Sequence, residues 1–270
     1  MSETHHRNHM KATLVQKKHI PGDKEHNLDI ISQAASSVDT DLLIFPEMFL
    51  TGYSLGDGLF EMAETIPGPS SDLISRLSVE NDTTIICGMP EKESPGKGRV
   101  FNSALVTTPE GDIHSYRKIH LPNFGPFQDK RYFEAGGQPS LISTPAGDLG
   151  VIICYDIFFP ELSKYYAMNG ADIIVCISAS PSTTRVFFER VMYARAIENT
   201  CFLLYSNMLG REEQMMFWGG ATAISPKGIE MAKAPYFRES ILDVELHTDA
   251  EVEKARRGRP ALDDTTDLFR

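Results

Sequence analysis

Short apolar runs alternate with amphipathic stretches from Lys11 onward, and this alternation constrains the fold more than any other feature of the chain. The runs ATLVQ, DLLIFPE, TTIICGMP, LGVIICYD, DIIVCISA and CFLLYSNML predict strands. Amphipathic patterns predict helices over residues 23–38, 70–80, 160–169 and 185–199. The last of these carries one apolar stripe, formed by Phe187, Val191, Ala194 and Ile197. Strands that alternate with helices indicate an α/β fold.

Three further segments predict paired strands. VFNSALVTTPEGDIHSYRK turns at Pro-Glu-Gly-Asp, LISTPAG precedes LGVIICYD, and WGGATAISPKGIEMAKA turns at residues 226–228. ILDVEL predicts a last strand, and DAEVEKARRGR predicts a final helix or tail. Continuous apolar strands beside alternating ones indicate a sheet covered on both faces, or two sheets face to face with helices outside. Because no linker interrupts the pattern, residues 10–270 are expected to form a single domain.

Charge and hydropathy exclude several classes of function. The 270 residues include 26 Lys and Arg against 37 Asp and Glu, and this formal net charge of -11 repels nucleic-acid phosphates and anionic lipid headgroups. No stretch approaches about 18 consecutive apolar residues, and the N-terminal region lacks the apolar core of a signal peptide. We therefore expect a cytoplasmic protein that binds neither nucleic acid nor membrane. The His-rich residues 1–9 are expected to be a disordered leader or a remnant of vector sequence rather than a metal site.

The four cysteines include no CxxC pair, which argues against a zinc site and a disulfide framework. Cys87, Cys176 and Cys201 lie inside or at the start of apolar runs and are expected to be core thiols. Cys154 differs, because Tyr155 and a predicted turn from strand to helix follow it at once. Cys154 is therefore the candidate reactive thiol.

Three polar residues each follow a predicted strand, at the edge where open α/β sheets form their binding crevice. They are Glu47, Lys118 and Cys154. A carboxylate, an ammonium and a thiol suffice for nucleophilic acyl transfer, as base, charge stabiliser and nucleophile. Each residue also has a structural interpretation: Glu47 as a helix cap, Lys118 as a solvated hairpin charge and Cys154 as a core thiol. Spacing alone does not decide between these interpretations.

Residues 121–140 show little periodicity and much Gly, Pro and aromatic content, which predicts a structured functional loop. Aromatic residues in loops or at a strand start either line an acyl pocket or seal a core edge or dimer contact. These residues are Phe124, Phe127, Tyr132, Phe133 and Trp218. The candidate substrate-binding residues are Phe124, Tyr132, Phe158 and Ser180.

Four segments, in order, resemble the motifs of the nitrilase superfamily of carbon-nitrogen hydrolases: LIFPEMFLTGY, YRKIHLP, GVIICYDIFFPEL and ARAIEN. The resemblance extends from about Lys11 to Arg270 and favours its amidase-like branch. It implies a four-layer αββα sandwich and a mechanism through an acylated cysteine, with no metal or organic cofactor. It further implies a homodimer or higher homo-oligomer in which the sheets extend through the interface.

The resemblance also implies residue roles. Glu47 takes the proton of the Cys154 thiol, which attacks an amide carbonyl, while Lys118 and the backbone N–H of Tyr155 hold the oxyanion. Many members carry a further glutamate in the following loop, where this chain has Asp129. Asp129 either positions substrate or Lys118, or pairs on the loop surface with Lys130 or Arg131. Glu134 is a weaker candidate for the same position.

The substrate class is argued from the residues around the cysteine. CYD resembles the amidase branches, whereas nitrilases more often have CWE. Ile157, Phe158 and Phe159 stand where relatives that bind carboxylates often place arginine, which favours a small linear carboxamide with a less charged acyl group. Arg185 or Arg211 could restore an anion site. An N-carbamoyl-amine hydrolase, a nitrilase, an acyl-transfer enzyme and a catalytically quiet scaffold stay as alternatives.

Overall fold

The computed structural model describes residues 9–93, 98–259 and 262. The predicted leader therefore lies outside the described residues, apart from His9. The strands are β1 (Met10–Gln16), β2 (Leu42–Ile44), β3 (Thr84–Lys92), β4 (Val100–Thr107), β5 (Ile113–Arg117), β6 (Ile142–Thr144), β7 (Gly147–Ile153), β8 (Ile173–Ser178), β9 (Phe202–Asn207), β10 (Leu209–Glu212), β11 (Met215–Trp218), β12 (Thr222–Ile224), β13 (Glu230–Lys233) and β14 (Ser240–Leu246). The helices are α1 (Lys24–Ser37), α2 (Gly58–Met62), α3 (Pro69–Glu80), α4 (Asp129–Tyr132), α5 (Pro160–Met168), α6 (Arg185–Asn199) and α7 (Thr248–Gly258), and 3-10 turns span Cys154–Phe158 and Ser182–Thr184.

Two six-stranded sheets face each other at the centre of the molecule. Their strand orders are β14-β1-β2-β3-β4-β5 and β13-β12-β9-β8-β7-β6. Apolar side chains of both sheets form one buried cluster, which includes Leu14 and Ile44 from the first sheet and Val151 from the second. The outer face of the first sheet packs on α1 and α3 through Leu43 and Ile31, and α5 and α6 pack on the second sheet. The predicted four-layer αββα sandwich is confirmed.

Strand direction brings three chain segments to one edge of the facing sheets. Strands β1, β2 and β3 run parallel, and β5 returns to the same direction through the antiparallel β4. Strands β7, β8 and β9 are also parallel. Glu47 therefore follows the carboxyl end of β2, Lys118 that of β5 and Cys154 that of β7, which is the arrangement that forms crevices in α/β proteins.

The bounds predicted for the fourth helix, residues 185–199, match α6, but of the predicted apolar stripe only Val191 packs against the core cluster. Phe187 is 61% exposed and Ile197 37%. The buried face instead carries Phe188, Met192 and Ala196, which repeat every four residues and lie over the second sheet. The helix thus has apolar residues on two faces, and the sequence pattern did not distinguish the inner one.

The predicted hairpins, the last strand and the final helix are present as β4–β5, β6–β7, β12–β13, β14 and α7. The sequence pattern missed the hairpin β10–β11 and the short helices α2 and α4, of which α4 lies within the predicted functional loop. None of the described helices has the length and apolar content that crossing a membrane requires.

Gly88 on β3 lets the turn that carries Glu47 pack directly on the sheet. A Cβ atom at this position would lie 2.2 Å from the backbone nitrogen of Met48 and 2.5 Å from the Cα of Glu47. Both contacts are with backbone, which cannot move aside as a flexible side chain can. The Gly88 N–H also donates to the Pro46 carbonyl at 3.1 Å.

We expect Gly88→Ala to destabilise the protein by about 1–3 kcal/mol, because the added methyl group overpacks a buried backbone contact. Urea unfolding measures the loss. Gly137→Ala is the matched control, since a Cβ there meets no atom within 4 Å. Equal unfolding midpoints for the two variants would contradict this account of the turn.

Candidate active site

Glu47 lies in the turn after β2 and is fully buried. Its Oε1 accepts hydrogen bonds from Lys118 Nζ at 2.8 Å and Asn102 Nδ2 at 2.7 Å. Its Oε2 accepts from the backbone N–H of Ala179 at 2.6 Å, at the carboxyl end of β8 in the other sheet. The residues that follow form a turn, with Met48 at φ 53°, so Glu47 does not cap a helix. The carboxylate is instead fixed by donors from both sheets.

Lys118 is a buried ammonium rather than a solvated hairpin charge. Its Nζ lies 2.8 Å from Glu47 Oε1 and 2.8 Å from Asp129 Oδ2, and its side chain is fully buried. Desolvation acts to lower the pKa of Lys118, but the charges of Asp129 and Glu47 outweigh it and raise the pKa well above its usual value. Lys118 therefore stays charged at neutral pH.

Asp129, at the start of α4, belongs to this cluster and not to the loop surface. It is 2% exposed, and its second oxygen accepts the phenol hydrogen bond of Tyr53. Burial, with the nearby charges of Asp129 and Glu47, raises the pKa of Tyr53 well above its usual value, so the phenol remains a donor. Arg131 instead lies 3.7 Å from Asp57. Glu134 is exposed, and its backbone N–H donates to Val100.

Cys154 follows β7 directly and begins a 3-10 turn with a φ of 50°, in the left-handed region that non-glycine residues seldom adopt. The residue is 4% exposed. Burial and the charge of Glu47 raise the pKa of the Cys154 thiol well above its usual value, although the Lys118 charge opposes the shift. The resting thiol is therefore protonated, and a nucleophilic role requires a neighbouring base.

Asp156 ties this cysteine turn to the segment that carries Lys118. Its fully buried carboxylate accepts hydrogen bonds from Tyr116 Oη at 2.8 Å, the His120 N–H at 2.8 Å and the Ile153 N–H at 3.1 Å. Tyr116 belongs to β5 of the first sheet, whereas Ile153 ends β7 of the second. The bond network therefore fixes the distance between the two sheets beside the thiol.

Residues of the segment 129–133 contribute to the lining of two cavities. One, of about 150 Å³, is lined by Tyr53, Asp129 and Tyr132 among others. The other, of about 640 Å³, is lined by Phe124, Tyr155 and their neighbours. The predicted pocket residues Tyr132 and Phe124 thus border different cavities.

The remaining predicted pocket residues make packing contacts. Phe158 packs edge-on against Phe188, with ring centroids 5.0 Å apart. The Ser180 hydroxyl bonds to Thr184 at 2.8 Å and accepts from Trp218 Nε1 at 3.3 Å. Trp218 itself stacks on Tyr205 in the core. A substrate contact of Phe158 or Ser180 stays a prediction.

Cys87, Cys176 and Cys201 are fully buried core residues, as predicted. In the part of the chain that the structure describes, the side chains spaced to ligate a metal ion are those of His9, Glu245 and His247. All three are exposed, at the paired ends of β1 and β14. This group includes no residue of the Cys154 cluster.

The family model of the carbon-nitrogen hydrolases matches residues 11–256. The chain belongs to the carbon-nitrogen hydrolase family. The resemblance to the nitrilase superfamily is thereby confirmed. Among its curated relatives is an (R)-stereoselective amidase of a Pseudomonas species, with 31% identity over 94% of this chain and 91% of the amidase.

Solved structures agree with this membership of the carbon-nitrogen hydrolase family. A carbon-nitrogen hydrolase from Helicobacter pylori G27 has a TM-score of 0.88 at 26% identity, covering 97% of this chain and 96% of that chain. A glutamate-to-glutamine mutant of the amidase from Nesterenkonia sp. AN1 has a TM-score of 0.78 at 27% identity, covering 93% and 95%. In that mutant amidase, the acetamide moiety of fluoroacetamide is added covalently at the active-site cysteine.

Above pH 8 we expect this hydrolase to lose stability as the pH rises. Burial raises the pKa of Cys201 to about 12, whereas an unfolded thiol ionises near about 8.5. Between these two pKa values the unfolded state binds fewer protons than the folded state. The Cys201 thiol therefore lowers the free energy of unfolding by about 2 kcal/mol between pH 8 and 10. Urea unfolding at pH 7, 8, 9 and 10 measures the slope. Cys201→Ala should lose less over this range, and an unchanged slope would contradict the expectation.

Proposed function

We propose that this carbon-nitrogen hydrolase cleaves a small, neutral, linear carboxamide through a thioester on Cys154, releasing ammonia and a carboxylic acid. The observation that carries the proposal is the buried hydrogen-bonded line Glu47, Lys118, Asp129 beside a protonated thiol. A binding protein has no use for these groups, because burying two carboxylates and an ammonium costs several kcal/mol of desolvation per ion. The covalent cysteine adduct of the related amidase supports the same chemistry.

In the first step Glu47 takes the thiol proton, and the Cys154 sulfur forms a bond to the amide carbon. The carbonyl π electrons move onto oxygen, and Lys118 with the backbone N–H of Tyr155 stabilises this oxyanion. Because its pKa is raised, Lys118 acts as a fixed positive charge and not as a proton donor. Asp129 holds the ammonium from the other side.

In the second step the protonated Glu47 delivers its proton to the leaving nitrogen, the carbon-nitrogen bond breaks and ammonia departs. A water molecule then loses a proton to Glu47 and adds to the thioester carbon. The carbon-sulfur bond breaks, and the proton returns to Cys154. The balance is one amide and one water converted to one carboxylic acid and one ammonia.

The lining of the smaller cavity favours a neutral acyl group. Its side chains include the apolar Leu59, Phe133 and Met215. Among the described residues, the lining holds the acidic Asp129 and Glu213 but no lysine, arginine or histidine. Neither arginine considered as an anion site belongs to this lining. Arg185 lies over the Tyr236 ring and near Glu189, and the Arg211 Nε donates to the Glu213 carbonyl. A carboxylate-bearing acyl group would therefore lack a cationic partner there.

Incubation with acetamide, propionamide, succinamate and propionitrile tests this function by ammonia release and intact-protein mass. We expect propionamide to exceed succinamate by about 10-fold or more in kcat/KM, because the cavity offers no cation. Cys154→Ala should lose at least about 10³-fold, as removal of a nucleophile does. Cys201→Ala controls for loss of a buried thiol and should retain activity.

Ammonia release by Cys154→Ala at the wild-type rate would overturn the assignment of the nucleophile. Absence of turnover of every amide by the wild type would instead favour the quiet scaffold. Preferred cleavage of propionitrile would favour the nitrilase alternative. The acyl mass added to Cys154 identifies which group the enzyme accepts.

We also propose that two copies of the chain pair through α5 and α6, and we retain the expectation of a cytoplasmic protein. The outward face of these adjacent helices exposes Val186 at 49%, Phe187 at 61% and Tyr165 at 38%. Large apolar side chains exposed on neighbouring helices are typical of a protein interface. Pairing would remove these side chains from water.

Phe187→Glu should therefore shift the protein from dimer to monomer at micromolar concentration, because it places a charge in an apolar contact. Sedimentation velocity measures the change. Val79→Glu is the control, since Val79 is 52% exposed on α3 in the opposite outer layer. A monomeric wild type, or a Phe187→Glu protein that stays dimeric, would contradict the proposed interface.

A further inference from the structure

The hairpin β10–β11 carries a buried carboxylate that binds the backbone of residues 53–54. Glu212, at the end of β10, is 4% exposed and does not contact Lys118 or Asp129 in the described hydrogen bonds. Its Oε2 accepts from the backbone N–H of Ser54 at 2.6 Å and of Tyr53 at 3.0 Å. Its Oε1 lies 2.6 Å from His19 Nε2. The carboxylate thus connects β10 and the segment after β1 to the backbone of residues 53–54.

This backbone segment is tightly confined. Gly52 has a φ of +89°, and a Cβ atom there would lie 2.9 Å from the Cα of Pro21 and 3.5 Å from Glu212 Oε1. Residues 52–54 therefore lie between the chain at Pro21 and the Glu212 carboxylate. Removing the carboxylate would leave two buried backbone N–H groups without their acceptor, which costs about 1–3 kcal/mol per group and favours movement of the segment.

The side chain of Tyr53 connects this segment to the proposed catalytic lysine. Its phenol donates to Asp129, whose other oxygen accepts from Lys118 at 2.8 Å. Lys118 in turn donates to Glu47 at 2.8 Å. A continuous series of hydrogen bonds and covalent bonds thus runs from Glu212, through the Tyr53 backbone and phenol and through Asp129, to the Lys118 ammonium.

We infer that Glu212 is a positioning residue for Lys118, acting through Tyr53 and Asp129, with His19 holding the Glu212 carboxylate in place. The inference rests on the proposed amidase function. Glu212 touches no reacting atom. It fixes the backbone of Tyr53, the phenol fixes Asp129, and Asp129 fixes where the ammonium stands relative to the oxyanion. Displacement of such a group by about 1 Å is enough to cost up to about 100-fold in rate.

A double-mutant cycle on the full-length protein tests this series, with kcat and KM measured for the amide that the wild type turns over best. Glu212→Gln keeps the shape but replaces one carboxylate oxygen by an NH₂ group, which cannot accept from the Tyr53 or Ser54 N–H. Tyr53→Phe removes the hydrogen bond to Asp129. We expect each to lower kcat by about 10-fold or more with KM changed by less than about 3-fold. Glu212→Gln combined with Tyr53→Phe should be no slower than the slower single variant, because both interrupt one pathway.

Glu64→Gln is the matched structural control. Glu64 accepts from the Ser70 N–H at 2.8 Å and pairs with Lys24, so Glu64→Gln also alters a carboxylate that holds backbone, but one with no described hydrogen bond to Tyr53, Asp129 or Lys118. Glu64→Gln should lower stability in urea without lowering kcat. In the Tyr53→Phe background it should lower kcat no further than Tyr53→Phe does alone. A purely structural role of Glu212 would make Glu212→Gln behave like Glu64→Gln.

Three outcomes overturn the inference: an unchanged kcat for Glu212→Gln, losses that multiply in the double variant, or an equal kcat loss for Glu64→Gln. If Glu212→Gln does not fold, His19→Leu replaces it, since it removes one partner of the carboxylate and leaves both backbone donors. Its smaller kcat loss should vanish in the Tyr53→Phe background, and a loss that persists overturns the inference. An inactive wild type would be a failure of the proposed function, which the Cys154→Ala comparison detects separately.

Discussion

The buried ammonium of Lys118, held between Glu47 and Asp129, is the interaction on which the rest of the site depends. Taking these charges out of water is costly, and the cost is offset only where donors and acceptors are placed accurately on every side. Glu47 meets this requirement with three donors, one of which comes from the opposite sheet. The charges of Asp129 and Glu47 keep Lys118 protonated, whereas burial and the charge of Glu47 keep the Cys154 thiol protonated. The buried charges are therefore stable only because the two sheets hold their hydrogen-bond partners in place.

The sandwich satisfies that requirement through strand direction and close backbone contact. Strands β2 and β5 run in one direction and bring Glu47 and Lys118 to one edge of the first sheet, and β7 brings Cys154 to the matching edge of the second. The turn carrying Glu47 packs on a strand that has glycine at the contact, and the Asp156 carboxylate bonds to groups from both sheets beside the thiol. The site is thus built by the packing of two rigid layers rather than by a single loop.

The sequence pattern predicted strands and helices well where the apolar residues followed a single period. It failed where a helix carries apolar residues on two faces. The bounds of α6 match the prediction, but its apolar residues occupy two faces, and only contact with the second sheet selects the one with Phe188 and Met192. The hairpin β10–β11 was missed because β10, LGRE, has a single apolar residue and the turn at residues 213–214 contains no Gly, Pro, Asn or Asp to mark it. In the site, ordered motifs drew attention to Glu47, Lys118 and Cys154. Tyr53 and Glu212 were missed because their partners stand 76 and 158 residues away.

The sequence by itself determined the α/β class, the family resemblance and the residue types available for acyl transfer, because apolar periodicity and ordered motifs are local properties of the chain. Only the tertiary structure decided that Asp129 joins Lys118 instead of pairing on the loop surface, and that Glu47 is fixed by the other sheet. It alone decided which face of α6 is buried. These outcomes depend on which distant groups meet at the edge of the two sheets, and therefore on burial, distance and charge that no local pattern contains.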